Sequence, residues 1–400
     1  MNFKFGINSE NIKEFGRKLI PLLALIMFTF IPTSHNSEIF GIIWTLTVWI
    51  IIVIYISYVG LFNRINYNLF IRGLVFIIIY VGSITIFTLI RNNDARLSIY
   101  RIAPVLSLIY LTSFKINDYK ISQRYMRRLL DIFFIAMLIW NILILLGSDF
   151  IKEFTINNYS QYYEKALEYT FYYKKTVMSF GVHTWASYFY IIMFYLSYVT
   201  AIRTGLMRFY IYCGFTVFFT VFLTSNSSLV YGIIMTIMLL WLLRKKPIVL
   251  FSILGIIIIV IFNMWETLWE RYKFITQSDT NGLIARYLID GGSFKNNFKI
   301  ILSSMGIGFC IFDNMKIGYS DSGYIVYLTM GSFPLIIIIY TRLYNFLVRN
   351  INVRYIWFIL FIIFSFELAL PATYSYRFPF VIVFVIYYLN NLSKCEENIK

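Results

Sequence analysis

Long apolar runs, separated by short polar or basic stretches, make up most of the chain. A helix needs roughly 20 mostly apolar residues to cross a bilayer. Windows of that size give twelve segments, at about 15–33, 39–62, 70–90, 97–114, 129–147, 179–202, 207–224, 228–243, 247–264, 322–341, 355–370 and 378–392. Aromatic residues such as Trp265, Trp269 and Tyr374 crowd the segment ends, as in interfacial belts. No internal repeat recurs at a fixed period. The pattern predicts an all-α polytopic membrane protein of about twelve transmembrane helices, with residues 1–400 forming one integral membrane domain.

Two of the gaps are long, at 148–178 and 265–320. Long loops among short-looped helices are where function is expected. The larger gap holds a semi-apolar piece, 298–312, with Gly306 and Gly308 near its end. It is too short and interrupted for a span, and reads as a re-entrant or interfacial segment.

Composition agrees with this reading. Of 400 residues, 60% are apolar and 14% are charged, against about 25% charged in an average soluble domain. Mean hydropathy is +0.72. A soluble enzyme, a disulfide scaffold and a disordered chain are excluded. Basic residues precede the first apolar run, and Pro32-Thr33-Ser34 follows it without an A-x-A-like cleavage site. The first segment is therefore expected to be an uncleaved span.

The net charge of +16 is best read by side of the membrane. With the N-terminus inside and strict alternation, 21 of the 35 basic residues but 6 of the 19 acidic ones fall on the inner side. Both termini are then cytoplasmic, and the two long loops lie outside. The charge is an orientation device, and nucleic acid is not an expected partner. Cys213, Cys310 and Cys395 are scattered, with no metal-binding spacing. No cofactor is expected.

Ionisable residues at membrane depth are functional candidates by default. Arg101, His183, Asp321, Glu367 and Arg377 all sit near the outer ends of segments, which suggests one polar cavity opening outward. Each also has a plainer reading. The arginines can snorkel to headgroups. His183 can be a packing residue, and Asp321 can cap its helix. Glu367 and Arg377 share a short loop and can form an ion pair. In the larger loop, Glu266 and Glu270 share a helix face, while Arg271 and Arg286 suit a bidentate grip on phosphate. Walker A, G-x-S-x-G and H-E-x-x-H motifs are absent.

The block Arg286-Tyr287, Gly306-Ile-Gly308-Phe309, Ser320-Asp-Ser-Gly-Tyr-Ile325, Leu328 and Gly331 resembles the O-antigen polymerases of the Wzy type, and more distantly the O-antigen ligases. So do the overall plan, the spacing from Arg271 to Gly282, and the ending Arg377-Phe-Pro379-Phe380. Two departures concern the ligases. Ser225-Asn-Ser-Ser228 lacks their arginine, and Asp321 stands near the place of their late-loop histidine.

The resemblance implies a metal-independent glycosyltransferase, similar to the C-type membrane enzymes, on the periplasmic face of the bacterial inner membrane. It would join oligosaccharide repeat units carried on undecaprenyl diphosphate, with membrane lipid and a chain-length regulator protein as partners. The growing chain is the donor and a hydroxyl of the incoming unit is the acceptor. Cations stabilise a departing lipid diphosphate, and Arg286, Arg271 and Arg377 are the candidates. Asp321, then Glu367, is the candidate base for the acceptor hydroxyl. Arg101, His183 and Tyr324 are further substrate-binding candidates. The alternatives are a lipid-linked oligosaccharide flippase and an O-antigen ligase.

Overall fold

The structure is a computed structural model. It describes residues 9–31, 41–116, 121–159, 171–172, 178–180, 183–222, 228–244, 246–263, 265–266, 269–270, 298, 305–312, 322–368 and 370–393.

The described part of each of the twelve apolar windows is mostly helical. In chain order the main elements are α1 (Ser9–Phe30), α2 (Gly41–Phe62), β1 (Arg64–Ile65), α3 (Tyr67–Phe76), α4 (Gly82–Arg91), β2 (Ala95–Leu97), α5 (Ile99–Thr112), β3 (Phe114–Lys115) and α6 (Gln123–Leu145). Then follow α7 (Asp149–Tyr159), α8 (His183–Thr204), α9 (Met207–Phe222), α10 (Ser228–Leu243), α11 (Pro247–Asn263), β4 (Cys310–Phe312), α12 (Gly323–Asn350), α13 (Val353–Phe366) and α14 (Phe378–Ser393). A π-helical turn at Ile77–Val81 joins α3 to α4.

Burial sorts these helices. In the apolar stretch of α8, 89% of residues are buried, against 33% across Tyr67–Arg91. A helix that is apolar all round belongs in the core of a large bundle or in lipid. α8 takes the first place and α3–α4 the second. α14 joins α8 at the centre, with Phe380 through Leu389 all buried. Hydrogen bonds lace this centre. Tyr190 donates to Asn141 at 2.8 Å, Ser187 meets Ser228 at 2.8 Å, and Thr200 meets Tyr388 at 2.7 Å. Between helices in an apolar medium, such pairs favour association because the alternative is an unsatisfied polar group.

The outside of the bundle is apolar as well. Ile78, Ile79, Ile86 and Phe87 along α3–α4, Ile132, Ile135 and Ile139 on α6, and Ile258, Ile259 and Phe262 on α11 are exposed. A water-soluble monomer rarely exposes patches beyond a few hundred Å². Lipid accepts such a surface, provided the backbone bonds to itself, as a helix does. Four helices are long and apolar enough to cross a bilayer, at 67–91, 123–145, 184–204 and 323–350, and several shorter apolar helices pack among them. The chain is an all-α membrane protein.

Two small ribbons mark opposite ends of α5. β1 pairs antiparallel with β3, placing Arg64 opposite Lys115. β2 pairs antiparallel with β4, placing Leu97 opposite Cys310. The positive-inside reading assigns the first ribbon to the inner side and the second to the outer.

Three local features depart from the expected layout. Part of the 148–178 loop is helical, as α7. The tenth segment does not end near 341; α12 continues to Asn350. Arg342, expected in a loop, therefore lies inside a helix, where it donates to the carbonyls of Leu69 (2.8 Å) and Ile109 (3.2 Å) and to the Ser113 hydroxyl (3.0 Å). α12 is also broken. Gly331 (φ −155°, ψ 28°) and Ser332 (φ 54°, ψ −161°) leave helical geometry. Pro334 follows, and a proline removes one helical donor and crowds the carbonyl four residues earlier, here that of Met330.

Candidate functional site

The break in α12 exposes carbonyls that a helix normally uses. The 305–312 segment takes them. Ile307 N–H donates to Thr329 O at 2.8 Å, and Gly308 N–H donates to Met330 O at 3.0 Å. The approach is close enough to require glycine. A Cβ on Gly306 (φ +122°) would lie 2.8 Å from Thr329 O, and one on Gly308 (φ +60°) would collide with the Thr85 hydroxyl. Positive φ selects glycine at both positions for the same reason. Of the piece 298–312, expected to be re-entrant or interfacial, residues 305–312 form a non-helical turn running into β4.

Thr85 is the second anchor. Its hydroxyl donates to Val81 O at 2.7 Å and accepts the buried Phe309 N–H at 2.9 Å. Ser98 N–H donates to Phe309 O at 3.0 Å, and the β2–β4 pairs continue the bonding. Thr85 lies six residues before the end of α4. At 1.5 Å per residue the segment reaches about 9 Å below that end.

The loop from Glu367 to Arg377 forms the other half of the site. Glu367 is fully buried, so its carboxyl group must be satisfied internally. One oxygen accepts Thr373 N–H at 2.6 Å, and the other accepts the Tyr340 hydroxyl at 2.8 Å. Its backbone carbonyl accepts the Ser322 hydroxyl and Gly323 N–H, both at 2.9 Å. A Cβ on Gly323 would fall on the carboxylate. The start of α12 is thereby locked to the end of α13. Aromatic rings close around the lock. The Tyr324 and Tyr340 centroids are 4.8 Å apart, and Tyr327 meets Tyr340 at 5.8 Å and Tyr374 at 6.0 Å. Tyr324 donates to Phe364 O at 2.7 Å.

Glu367 and Arg377 do not pair, contrary to the ion pair suggested by their shared loop. Arg377 turns the other way and is also buried. Its two terminal nitrogens donate to Phe28 O at 2.6 Å and Ile31 O at 2.7 Å, beside the Phe180 ring. These are carbonyls at the end of α1, which have no partner within the helix, and a cation there also suits the helix dipole. Arg377, a candidate for gripping substrate, thus contacts the end of α1. Arg101 is buried near the start of α5 and sits within electrostatic reach of Tyr374 and Cys310, where the two halves of the site meet. Tyr374 ties the same place by donating to Tyr100 O at 2.7 Å.

The structure therefore places Glu367, Tyr324 and Arg101 around the Tyr340–Tyr327–Tyr374 cluster, while Arg377 faces away toward α1. His183 is the first residue of α8. Asp321, Arg286 and Arg271 lie outside the described residues. Asp321 directly precedes Ser322, so in the chain it is one residue from the Glu367 lock. Glu266 and Glu270 are both exposed, beside the stacked rings of Trp265 and Trp269. Among the described residues, no three His, Cys, Asp or Glu side chains gather into a metal site, and Cys213 and Cys310 are free and buried. Sequence reading passed over Tyr340 and Thr85. Each is a polar group inside or beside an apolar run, which was the available signal.

With both oxygens engaged, Glu367 positions the start of α12 and the following turn. Fold and site together define a helical membrane protein with a polar, tyrosine-lined cluster at one end. Family models, curated proteins and solved structures were all compared with the chain, and none matches.

Proposed function

We propose that this protein is an O-antigen polymerase of the Wzy type, a glycosyltransferase that joins undecaprenyl-diphosphate-linked repeat units at the outer face of the bacterial inner membrane. One observation carries the reading. The described residues behind the resemblance, far apart in sequence, gather at one end of the bundle. Gly306 and Gly308 pack against the break at Gly331, Ser322 and Gly323 bond Glu367, and Arg377 closes α1.

In this reading Asp321, next to the Glu367 lock, takes the proton from the acceptor hydroxyl. Arg286 and Arg271 neutralise the leaving diphosphate. Transition-state charge of this kind is where a fixed cation contributes most, on the order of 10²–10³ in rate. Glu367 and Gly323 are positioning residues that fix the start of α12, directly after Asp321 in the chain. Arg377 donates to two carbonyls at the end of α1, which fixes its place at this end of the bundle.

A flippase is the second reading, because broken helices are common in transporters. In transporters the freed backbone lines a substrate path. Here Thr329 O and Met330 O are taken by Ile307 and Gly308, which favours a fixed platform over an alternating gate.

The test is Arg286→Ala, expressed at the normal level in the membrane. Surface polysaccharide should collapse to single repeat units on the lipid core. Normal polymer from this variant would remove Arg286 from the mechanism.

A further inference from the structure

A second site lies at the opposite end of the bundle. The first ribbon, the start of α3 and the end of α12 enclose a cleft of about 490 Å³, lined by Arg64, Asn66, Tyr67, Asn68, Lys115 and Arg349. Three elements each contribute one cation, and none of the described lining residues is acidic.

The arrangement is unfavourable when the cleft is empty. Arg64 and Lys115 are direct cross-strand partners. Like charges placed opposite each other on an antiparallel pair are destabilising. Arg349 faces the same cleft and is oriented by donation from Nε to Asn345 O at 3.0 Å and from Nη2 to Thr112 O at 3.2 Å. Arg342, two turns earlier on the same face of α12, is itself repelled by Arg349. No described acid pairs with Arg64, Lys115 or Arg349. The ion pairs present among the described residues are Lys18–Glu14, Lys152–Asp149 and Arg208–Asp131, all elsewhere. The first backbone N–H groups of α3 lie at the cleft as well; Asn66 caps only Leu69 N–H, at 3.0 Å.

Three converging cations, amide groups from Asn66 and Asn68, and a concave shape together match one chemistry. Guanidinium groups grip phosphate oxygens in bidentate fashion, and an ammonium adds a point charge. A general excess of basic residues on this side explains orientation, but not why two of them face each other across a ribbon at the mouth of a cleft. We propose that this cleft binds a phosphate group, carried by the headgroup of an anionic phospholipid of the adjoining leaflet. Bound there, the phosphate bridges β1, β3 and α12 and relieves their mutual repulsion. The inference does not depend on the polymerase reading.

The test uses the purified full-length chain and measures lipid binding by native mass spectrometry and thermal unfolding. The probes are phosphatidylglycerol, phosphatidylcholine and inorganic phosphate. Phosphatidylglycerol should bind and raise the unfolding temperature, and phosphatidylcholine should do so much less. The double variant Arg64→Gln/Lys115→Gln should weaken phosphatidylglycerol binding about 25-fold, from roughly a factor of five per basic side chain at an anionic surface. Arg124→Gln/Arg128→Gln removes the same charge from exposed positions on α6 and should leave binding within about twofold. If inorganic phosphate alone reproduces the stabilisation in wild type and loses it in the Arg64/Lys115 variant, the site takes a soluble phosphate and the lipid assignment fails. Equal loss in both double variants, or equal binding of the two lipids, would overturn the site itself.

Discussion

Two side chains at the end with the broken helix show how single residues hold this site. Thr85 uses one hydroxyl twice, donating to its own helix and accepting Phe309 N–H in a buried position. Thr85→Val keeps the shape and removes the acceptor. A buried N–H left without a partner costs about 1–3 kcal/mol. Thermal unfolding of Thr85→Val in detergent should show a loss of that size; an unchanged midpoint would mean the 305–312 segment does not dock there. Glu367 and Gly323 form the second device. Gly323→Ala puts a methyl where the carboxylate lies, so the start of α12 must move. Glu367→Ala strands Thr373 N–H and the Tyr340 hydroxyl, whereas Glu367→Gln still offers one acceptor. Polymer yield at equal membrane level should fall in the order wild type, Glu367→Gln, Glu367→Ala, with Gly323→Ala close to the last. Full activity in Gly323→Ala would contradict the lock.

At the level of elements, most of the helical layout was legible in the sequence. Apolar runs of about 20 residues have few other solutions, and the described part of all twelve windows is mostly helical. The break in α12 was less visible. Gly331 and Pro334 are there to be read, yet both are tolerated inside membrane helices, and the partner that takes the freed carbonyls lies more than twenty residues upstream. The ribbons were not legible, because two or three residues with no alternation leave no periodic signal. The Glu367–Arg377 pair misled for a related reason. Nearness in a loop suggested pairing, but the unsatisfied end of α1, over 340 residues away in sequence, is the better partner for a guanidinium. The β2–β4 ribbon can be tested directly. In Leu97→Cys the new thiol faces native Cys310 across the strands. Mild oxidation should cross-link them, seen as a faster-migrating band. Ala95→Cys, opposite Phe312, should not cross-link. Cross-linking of Ala95→Cys in place of Leu97→Cys would show a different register.

The whole molecule has two ends with different character. One gathers the glycine turns, the broken helix and the buried acid. The other gathers basic side chains around a ribbon and a cleft. Membrane character was legible from composition alone, since a chain with 14% charged residues has too few to clothe a soluble surface. The charge bias between loops suggested which end faces the cytoplasm. The proposed activity rests on scattered motifs, of which the described ones, at Gly306, Gly308 and Gly331, pack against one another. The most direct measurement is a gel of surface polysaccharide from a strain lacking this gene, with and without a plasmid copy. A polymerase predicts that the ladder collapses to a single repeat unit on the lipid core and returns with the plasmid. Loss of even the single unit, with lipid-linked repeats stranded on the inner side, would contradict the polymerase and point to the flippase.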